Sequence, residues 1–295
     1  MSEVTPIALL GFGEVGQTLA ADLLASGHSQ LTSWDKLFAE SESSLLRASK
    51  LIGVRAGASA GAAVAGAKLV ISAVTADQDL EAARSVSGHL ERGCYFLDLN
   101  SVSPGVKVAV AQSVEAAGGR YVEAAIMSPI APRRSGSPML LGGPHAKNFL
   151  PLAQSLGFSG AEVFADELGR ASAAKMCRSV VIKGMEALLT ESLLSARHYG
   201  VEDTVLESLQ DLFPANDWHK LARYMISRSL LHGRRRAEEM REVAKTVGEA
   251  GIDAWMSTAS VERHQWAARH RKASSQEQLA GMLDVLLAAR ESKAC

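Results

Sequence analysis

Gly11, Gly13 and Gly16 stand at G-x-G-x-x-G spacing directly behind the apolar run Ile7 to Leu10. The chemistry such a spacing serves is anion capture. The first glycine permits a tight turn, the second lets a diphosphate approach the backbone, and the third lets a helix pack closely on the strand before it. Phe12, Glu14 and Val15 fill the intervening positions and carry the turn into the helix. The helix start offers backbone N–H groups and a partial positive charge to phosphate. A second apolar run ends at Trp34-Asp35, roughly 20 residues on, where an acidic group can accept from both ribose hydroxyls. Such a carboxylate repels a 2′-phosphate, and the only cation beside it is Lys36. The pattern predicts a nicotinamide dinucleotide, NAD in preference to NADP, lying across Gly11 to Gly16 and Asp35. Val74 and Thr75, at the end of a later strand, are expected to complete its wall.

A phosphate site of this kind requires strands and helices in alternation, and the first part of the chain supplies them. Apolar runs at Ile7 to Leu10, Leu31 to Trp34, Leu69 to Val74, Tyr95 to Leu99, Tyr121 to Met127 and Met139 to Leu141 read as strands. Helical patterns lie between and after them, at Gln17 to Ser26, Ser41 to Ala48, Leu80 to Leu90, Val106 to Ala117 and Ala146 to Leu156. This alternation predicts an α/β Rossmann domain with a mainly parallel, doubly wound sheet over residues 1–166. From about Glu167 the period changes to helix after helix. Val181, Met185, Leu188, Leu189 and Leu193 form one helical stripe, and Leu279, Met282, Leu283 and Leu286 form another. Between them Ala237, Met240, Val243, Ala244 and Val247 make a third, closed by Gly251 as a cap. Residues 167–295 are therefore expected to form an all-α domain.

Composition narrows the function classes. A chain of 295 residues can hold two domains with full cores. Its net charge of −1 gives no reason to expect nucleic acid or an acidic membrane as partner. Cys94, Cys177 and Cys295 are odd in number and far apart, against both a disulfide framework and a metal site. No run is long and apolar enough for a membrane span, and the amino end lacks the basic start of a signal peptide. A cytoplasmic protein is expected.

Three further segments follow in order: Asp98-Leu99-Asn100-Ser101-Val102-Ser103-Pro104, Glu123-Ala124-Ala125-Ile126-Met127-Ser128-Pro129, and Gly169-Arg170-Ala171-Ser172-Ala173-Ala174-Lys175-Met176-Cys177-Arg178. With the glycine turn they resemble the β-hydroxyacid dehydrogenase family, which includes 6-phosphogluconate and 3-hydroxyisobutyrate dehydrogenases. The resemblance covers nearly the whole chain. The family patterns are D-x-S/T-T-x-x-P, D-A-P-V-S-G-G and G-x-G-x-x-x-K-x-x-N. Lys175 matches the family's catalytic lysine, whereas Met127, Pro129 and Arg178 depart from the family residues. The departures mark this as a divergent branch.

The resemblance implies a hydride transferred between nicotinamide and an anionic 3-hydroxyacid-type alcohol or carbonyl, with Lys175 as general acid and base. A lysine that is partly desolvated beside another cation, here Arg178, is suited to that exchange. Without the family register Lys175 reads as a solvated helix residue, and Lys183 is its rival on the same helix face. Asn100 is assigned to the nicotinamide ribose. Ser101, Met127, Ser128, Arg178 and Ser179 are assigned to a small-molecule substrate. Arg133 and Arg134 could assist there, although surface charge is the commoner role of such a pair. Arg234 to Arg236 read as a solvated face paired with Glu238, Glu239 and Glu242, and His232 as a polar helix-end residue. Trp218, Trp255 and Trp266 read as core or interface anchors, and Cys177 as packing. The family pairs subunits through its helical domain, so a homodimer is expected. Two other readings stand beside the dehydrogenase: an imine reductase, disfavoured by the presence of Lys175, and a catalytically silent nucleotide-binding dimer.

Overall fold

The computed structural model describes residues 5–40, 42–214 and 217–291. The chain forms two compact units, Met1–Met176 and Cys177–Cys295. The division falls beyond the 166/167 boundary expected from the sequence, because the start of the long helix after residue 169 belongs with the sheet.

In chain order the first unit runs β1 (Ile7–Leu10), α1 (Glu14–Ala25), β2 (Leu31–Trp34), α2 (Ser44–Ile52), β3 (Arg55–Ala56), α3 (Ala60–Val64), β4 (Leu69–Ser72) and α4 (Asp79–Val86). It continues with β5 (Tyr95–Asp98), α5 (Pro104–Ala116), β6 (Arg120–Ile126), α6 (Ile130–Arg133), β7 (Met139–Gly142), α7 (Ala146–Ser155) and β8 (Ala161–Ala165). The helix α8 (Arg170–Tyr199) begins here and carries the chain into the second unit.

The eight strands form one sheet in the order β3-β2-β1-β4-β5-β6-β7-β8. Every neighbouring pair is parallel except β6 with β7. This is the doubly wound arrangement the alternation predicts, with the order reversing at β1 and β4. Alternate residues of each strand enter opposite layers. Leu9, Ile71, Leu97 and Val122 pack with Leu19 and Leu23 of α1 and Phe149 of α7. Leu10, Val70, Phe96 and Tyr121 pack with Val64 of α3, Ala83 and Val86 of α4, and Val110 and Val114 of α5. Helix α5 starts at Pro104, earlier than the expected Val106, because Ser103 caps it and proline is accommodated in the first turn. Strands β3 and β8 were not among the expected runs. The first has two residues, and the second is a partly exposed edge strand, so neither shows a buried apolar run.

The second unit adds α9 (Glu202–Leu212), α10 (Trp218–Glu249), α11 (Trp255–Ala268) and α12 (Leu279–Glu291) to the rest of α8. Leu189, Leu193, Trp218, Ile226, Leu230, Met282, Leu283 and Leu286 form its main core. Of the expected first stripe, Leu189 and Leu193 are buried, while Val181 and Leu188 are exposed. Trp218 is in the core, Trp266 packs against it, and Trp255 is 76% exposed. Gly251 closes α10 as expected, at φ +74°, with the Ile252 N–H returning to the Val247 carbonyl at 3.2 Å. The non-helical residue His232 kinks α10, and its ring meets Arg228 at 2.9 Å.

Candidate cofactor and active site

The three glycines take three separable roles. Gly11 turns the chain at φ +87°, and a Cβ there would lie 2.3 Å from the Ala73 carbonyl oxygen. A Cβ on Gly16 would lie 2.2 Å from the Gly11 carbonyl oxygen, so its absence lets α1 sit directly on the turn. A Cβ on Gly13 would meet nothing within 4 Å. Gly13 is also the cap position of α1 and supplies no side chain to cover the first turn. Open space before an uncapped helix start fits a diphosphate. Phe12 contributes backbone only, since its ring is buried against Phe38 with centroids 6.0 Å apart.

Asp35 stands at the end of β2 and faces this turn. Its Oδ2 accepts from the Phe12 N–H at 2.8 Å and its Oδ1 from the Leu37 N–H at 3.0 Å. Each oxygen keeps a second lone pair for a ribose hydroxyl. Val74 packs on the α3–α5 layer. The Thr75 hydroxyl donates to Asp77 at 2.5 Å, which holds that carboxyl below its ordinary range.

A polar row crosses the carboxyl ends of the central strands. Ser72, Asp98 and Glu123 are register partners on β4, β5 and β6, and all three are fully buried. Lys107 of α5, only 1% exposed, places its ammonium 2.8 Å from Asp98 Oδ1. The Tyr121 hydroxyl donates to Asp98 Oδ2 at 2.7 Å, and the Asn100 N–H to Oδ1 at 2.9 Å. The Asn100 amide nitrogen donates to Ser72 Oγ at 2.9 Å and to Asp79 Oδ1 at 2.7 Å. Burial, with Asp98 beside it, pushes the Asp79 carboxyl well above the usual range and favours its protonated form. Burial likewise pushes the Tyr121 hydroxyl up. The sequence places Asn100 toward a ribose; in the structure its side chain is 4% exposed and turned into this row.

Glu123 also reaches the start of α8. Its Oε2 accepts from the Gly169 N–H at 2.6 Å and its Oε1 from the Ser172 N–H at 2.5 Å. The Ser172 hydroxyl donates to the Val102 carbonyl, tying α8 to the segment after β5. Burial raises the Glu123 carboxyl, while Lys107 and the two N–H groups oppose that rise. Lys175 follows Ser172 by three residues and is half-buried. Further along, Arg178 is exposed and Ser179 is buried. Ser101 and Met127 are half-buried, and Met127 bonds through its backbone N–H to the Pro138 carbonyl at 2.8 Å. The Ser128 hydroxyl donates to the Pro129 carbonyl at 3.2 Å. Arg134 binds Asp22 on α1 at 2.7 Å.

Lys183, the rival lysine, is held inside the helical unit. Its ammonium lies 2.8 Å from Glu239 and 3.3 Å from Ser179 Oγ. Lys183, Arg235 and Arg236 hold the Glu239 carboxyl at about 2 against the opposing effect of burial. Arg236 reaches Glu186 at 2.7 Å and is mostly buried, so the basic run is not wholly a solvated face. Asp79, Lys107 and Tyr121 join the polar row through contacts that their positions in the sequence do not announce. A lysine three residues into a proline-started helix was the only local signal for Lys107.

Residues 6–165 match the model of the NAD binding domain of 6-phosphogluconate dehydrogenase, and residues 196–267 match a domain of unknown function. The chain is similar to an uncharacterized 28.5 kDa protein of Methanothermus fervidus, at 30% identity over 249 residues that span 82% of this chain and 90% of that one. It is 26% identical over 226 residues to the 3-hydroxyisobutyrate dehydrogenase of Pseudomonas aeruginosa, spanning 73% and 72% of the two chains. A solved structure of a conserved hypothetical protein from Sinorhizobium meliloti superposes with a TM-score of 0.75 at 34% identity, covering 97% of each chain.

Proposed function

The chain belongs to the 6-phosphogluconate dehydrogenase-like family of NAD-binding proteins, and from that footing we propose that it is an NAD-dependent oxidoreductase acting on an anionic 3-hydroxyacid or its carbonyl counterpart. The observation that carries the reading is the open space at Gly13 before the uncapped start of α1, with Asp35 bonded to the same turn. Gly11 to Gly16 would hold the diphosphate, and Asp35 would hold the adenosine ribose and disfavour a 2′-phosphate. Bound nicotinamide would supply the hydride chemistry.

The remaining work falls to the chain's own side chains. Lys175 Nζ takes the proton from the substrate hydroxyl during oxidation and returns it to the carbonyl oxygen during reduction. Arg178 supplies a fixed positive charge for an anionic substrate group, while Ser101, Met127, Ser128 and Ser179 shape the seat. A 3-hydroxyacid substrate is supported by the likeness to the Pseudomonas aeruginosa enzyme. The working form we infer is a cytoplasmic homodimer; the exposed Val181, Leu188 and Trp255 of the helical unit support the pairing.

Calorimetry with NAD, NADH and NADPH tests the first half of this reading, and absence of binding by all three would end it. A panel of 3-hydroxy acids with NAD tests the second. Lys175→Ala is expected to lower turnover by roughly 10²–10⁴-fold with nucleotide affinity unchanged. Turnover near the wild-type rate would remove Lys175 from its role.

A further inference from the structure

The geometry points to Glu123 as the positioning residue for Lys175, through a helix cap supplied by a strand outside the helix. The inference rests on the assignment of Lys175 above. A helix start leaves N–H groups without intrahelical partners, and the usual remedy is a capping side chain within the helix start itself. The residue before α8 is Gly169, which has no side chain to offer. Glu123 on β6 supplies both acceptors instead. One carboxylate oxygen takes the Gly169 N–H at 2.6 Å and the other takes the Ser172 N–H at 2.5 Å. One carboxylate from a neighbouring strand thus does the work of a reciprocal capping box.

Three other features serve the same contact. Gly142, the register partner of Glu123 on β7, leaves the path clear, since a Cβ there would lie 2.8 Å from Glu123 Oε2. The Ser172 hydroxyl adds a second tie, to the Val102 carbonyl. Lys107, packed in the same row, favours the charged form of Glu123. Lys175 lies at i+3 from Ser172, and side chains three apart share a helix face. The carboxylate therefore fixes the height and rotation of the turn from which Lys175 projects, and it sets an acidic group at the start of the same helix.

The test follows the lysine directly. Reductive methylation with ¹³C-formaldehyde gives each lysine an NMR signal whose pH titration can be read, and the Lys175 signal is the one lost in K175R. In the full chain carrying Glu123→Gln, the Lys175 midpoint is expected to fall by about 0.5 pH or more, because an anion has been withdrawn. The calorimetric NADH affinity should stay within about twofold. A Lys175 titration identical to wild type in a folded E123Q chain would overturn the proposal. If E123Q does not fold, hydrogen exchange on the wild-type chain decides. The Gly169 and Ser172 amides should exchange on the order of 100-fold or more slower than free peptide amides, and exchange at the rate of an open first turn would overturn it. The two readings fail separately. A responsive Lys175 with wild-type turnover in K175A removes the acid–base role and leaves the positioning. An unresponsive Lys175 with turnover lost in K175A does the reverse.

Discussion

The Phe12 N–H donates to Asp35 Oδ2 at 2.8 Å, so the residue proposed to read the ribose also braces the turn proposed to hold the diphosphate. Replacing it with alanine would disturb both. Asp35→Asn keeps an oxygen for the Phe12 N–H, and removes the charge together with the acceptor of the Leu37 N–H. The NADPH-to-NADH affinity ratio is expected to rise roughly tenfold, equivalent to about 1.4 kcal/mol. Calorimetric titration with each nucleotide reads it, and an unchanged ratio would mean that Asp35 does not discriminate.

Gly13 and Gly16 should separate binding from folding. Gly13→Ala adds a methyl into open space, so the thermal midpoint should barely move while NADH affinity falls tenfold or more, a loss of about 1.4 kcal/mol. Gly16→Ala places a methyl 2.2 Å from the Gly11 carbonyl oxygen and should cost about 1–3 kcal/mol of stability by overpacking. Urea unfolding beside nucleotide titration distinguishes the two effects.

Lys107 is the cation paired within the buried row. Lys107→Met matches its bulk but leaves Asp98 buried without its counter-charge. A loss of about 3–5 kcal/mol is expected from a buried pair broken on one side. Denaturant unfolding at neutral pH measures it, and a loss under about 1 kcal/mol would exclude this contribution of the pair.

His264 gives the helical unit an acid-sensitive step. Burial, then Arg236, lowers its pKa from 6.5 to about 4, with Lys183 also disfavouring the charged ring and Glu239 favouring it. Its ring nitrogens meet Ser229 Oγ at 3.0 Å and the Lys183 carbonyl at 3.2 Å. The folded state therefore resists protonation that the unfolded state accepts. This contribution is complete above pH 6.5 and is lost as pH falls toward 4. Glu239, lowered from 4.5 to about 2, adds a second loss below pH 4.5. His264→Gln should flatten the thermal midpoint between pH 6.5 and 4 relative to wild type. A profile that keeps the wild-type slope would exclude the histidine as its source.

The sheet and the glycine turn were legible because their signals are local. Ile7 to Leu10 followed by Gly11 carries a strand, a turn and a helix start within ten residues of chain. Strand β3 was hidden by its length and β8 by its partly exposed edge. The candidate site was legible at Gly13 and Asp35 but not at Asn100, whose amide could have turned outward or inward on the same residue type. Its direction depends on Ser72 and Asp79, on other elements of the chain. Glu123 stood in a quoted segment, yet its contact with Ser172 follows only from where β6 meets α8. Lys183 was identified as a rival to Lys175 by spacing alone, and its partner Glu239 lies on another helix.

The buried row of Ser72, Asp98 and Glu123 also constrains how the sheet can assemble. Parallel strands rich in aliphatic residues carry little information about alignment, since valine and leucine pack acceptably at several offsets. Sliding β5 or β6 by one residue would turn a carboxylate onto the opposite layer among Leu97, Val122 and Phe149. Sliding by two would restore the face but carry that acid away from its buried polar partners. Misaligned sheets are thereby penalised during folding, before any nucleotide is encountered.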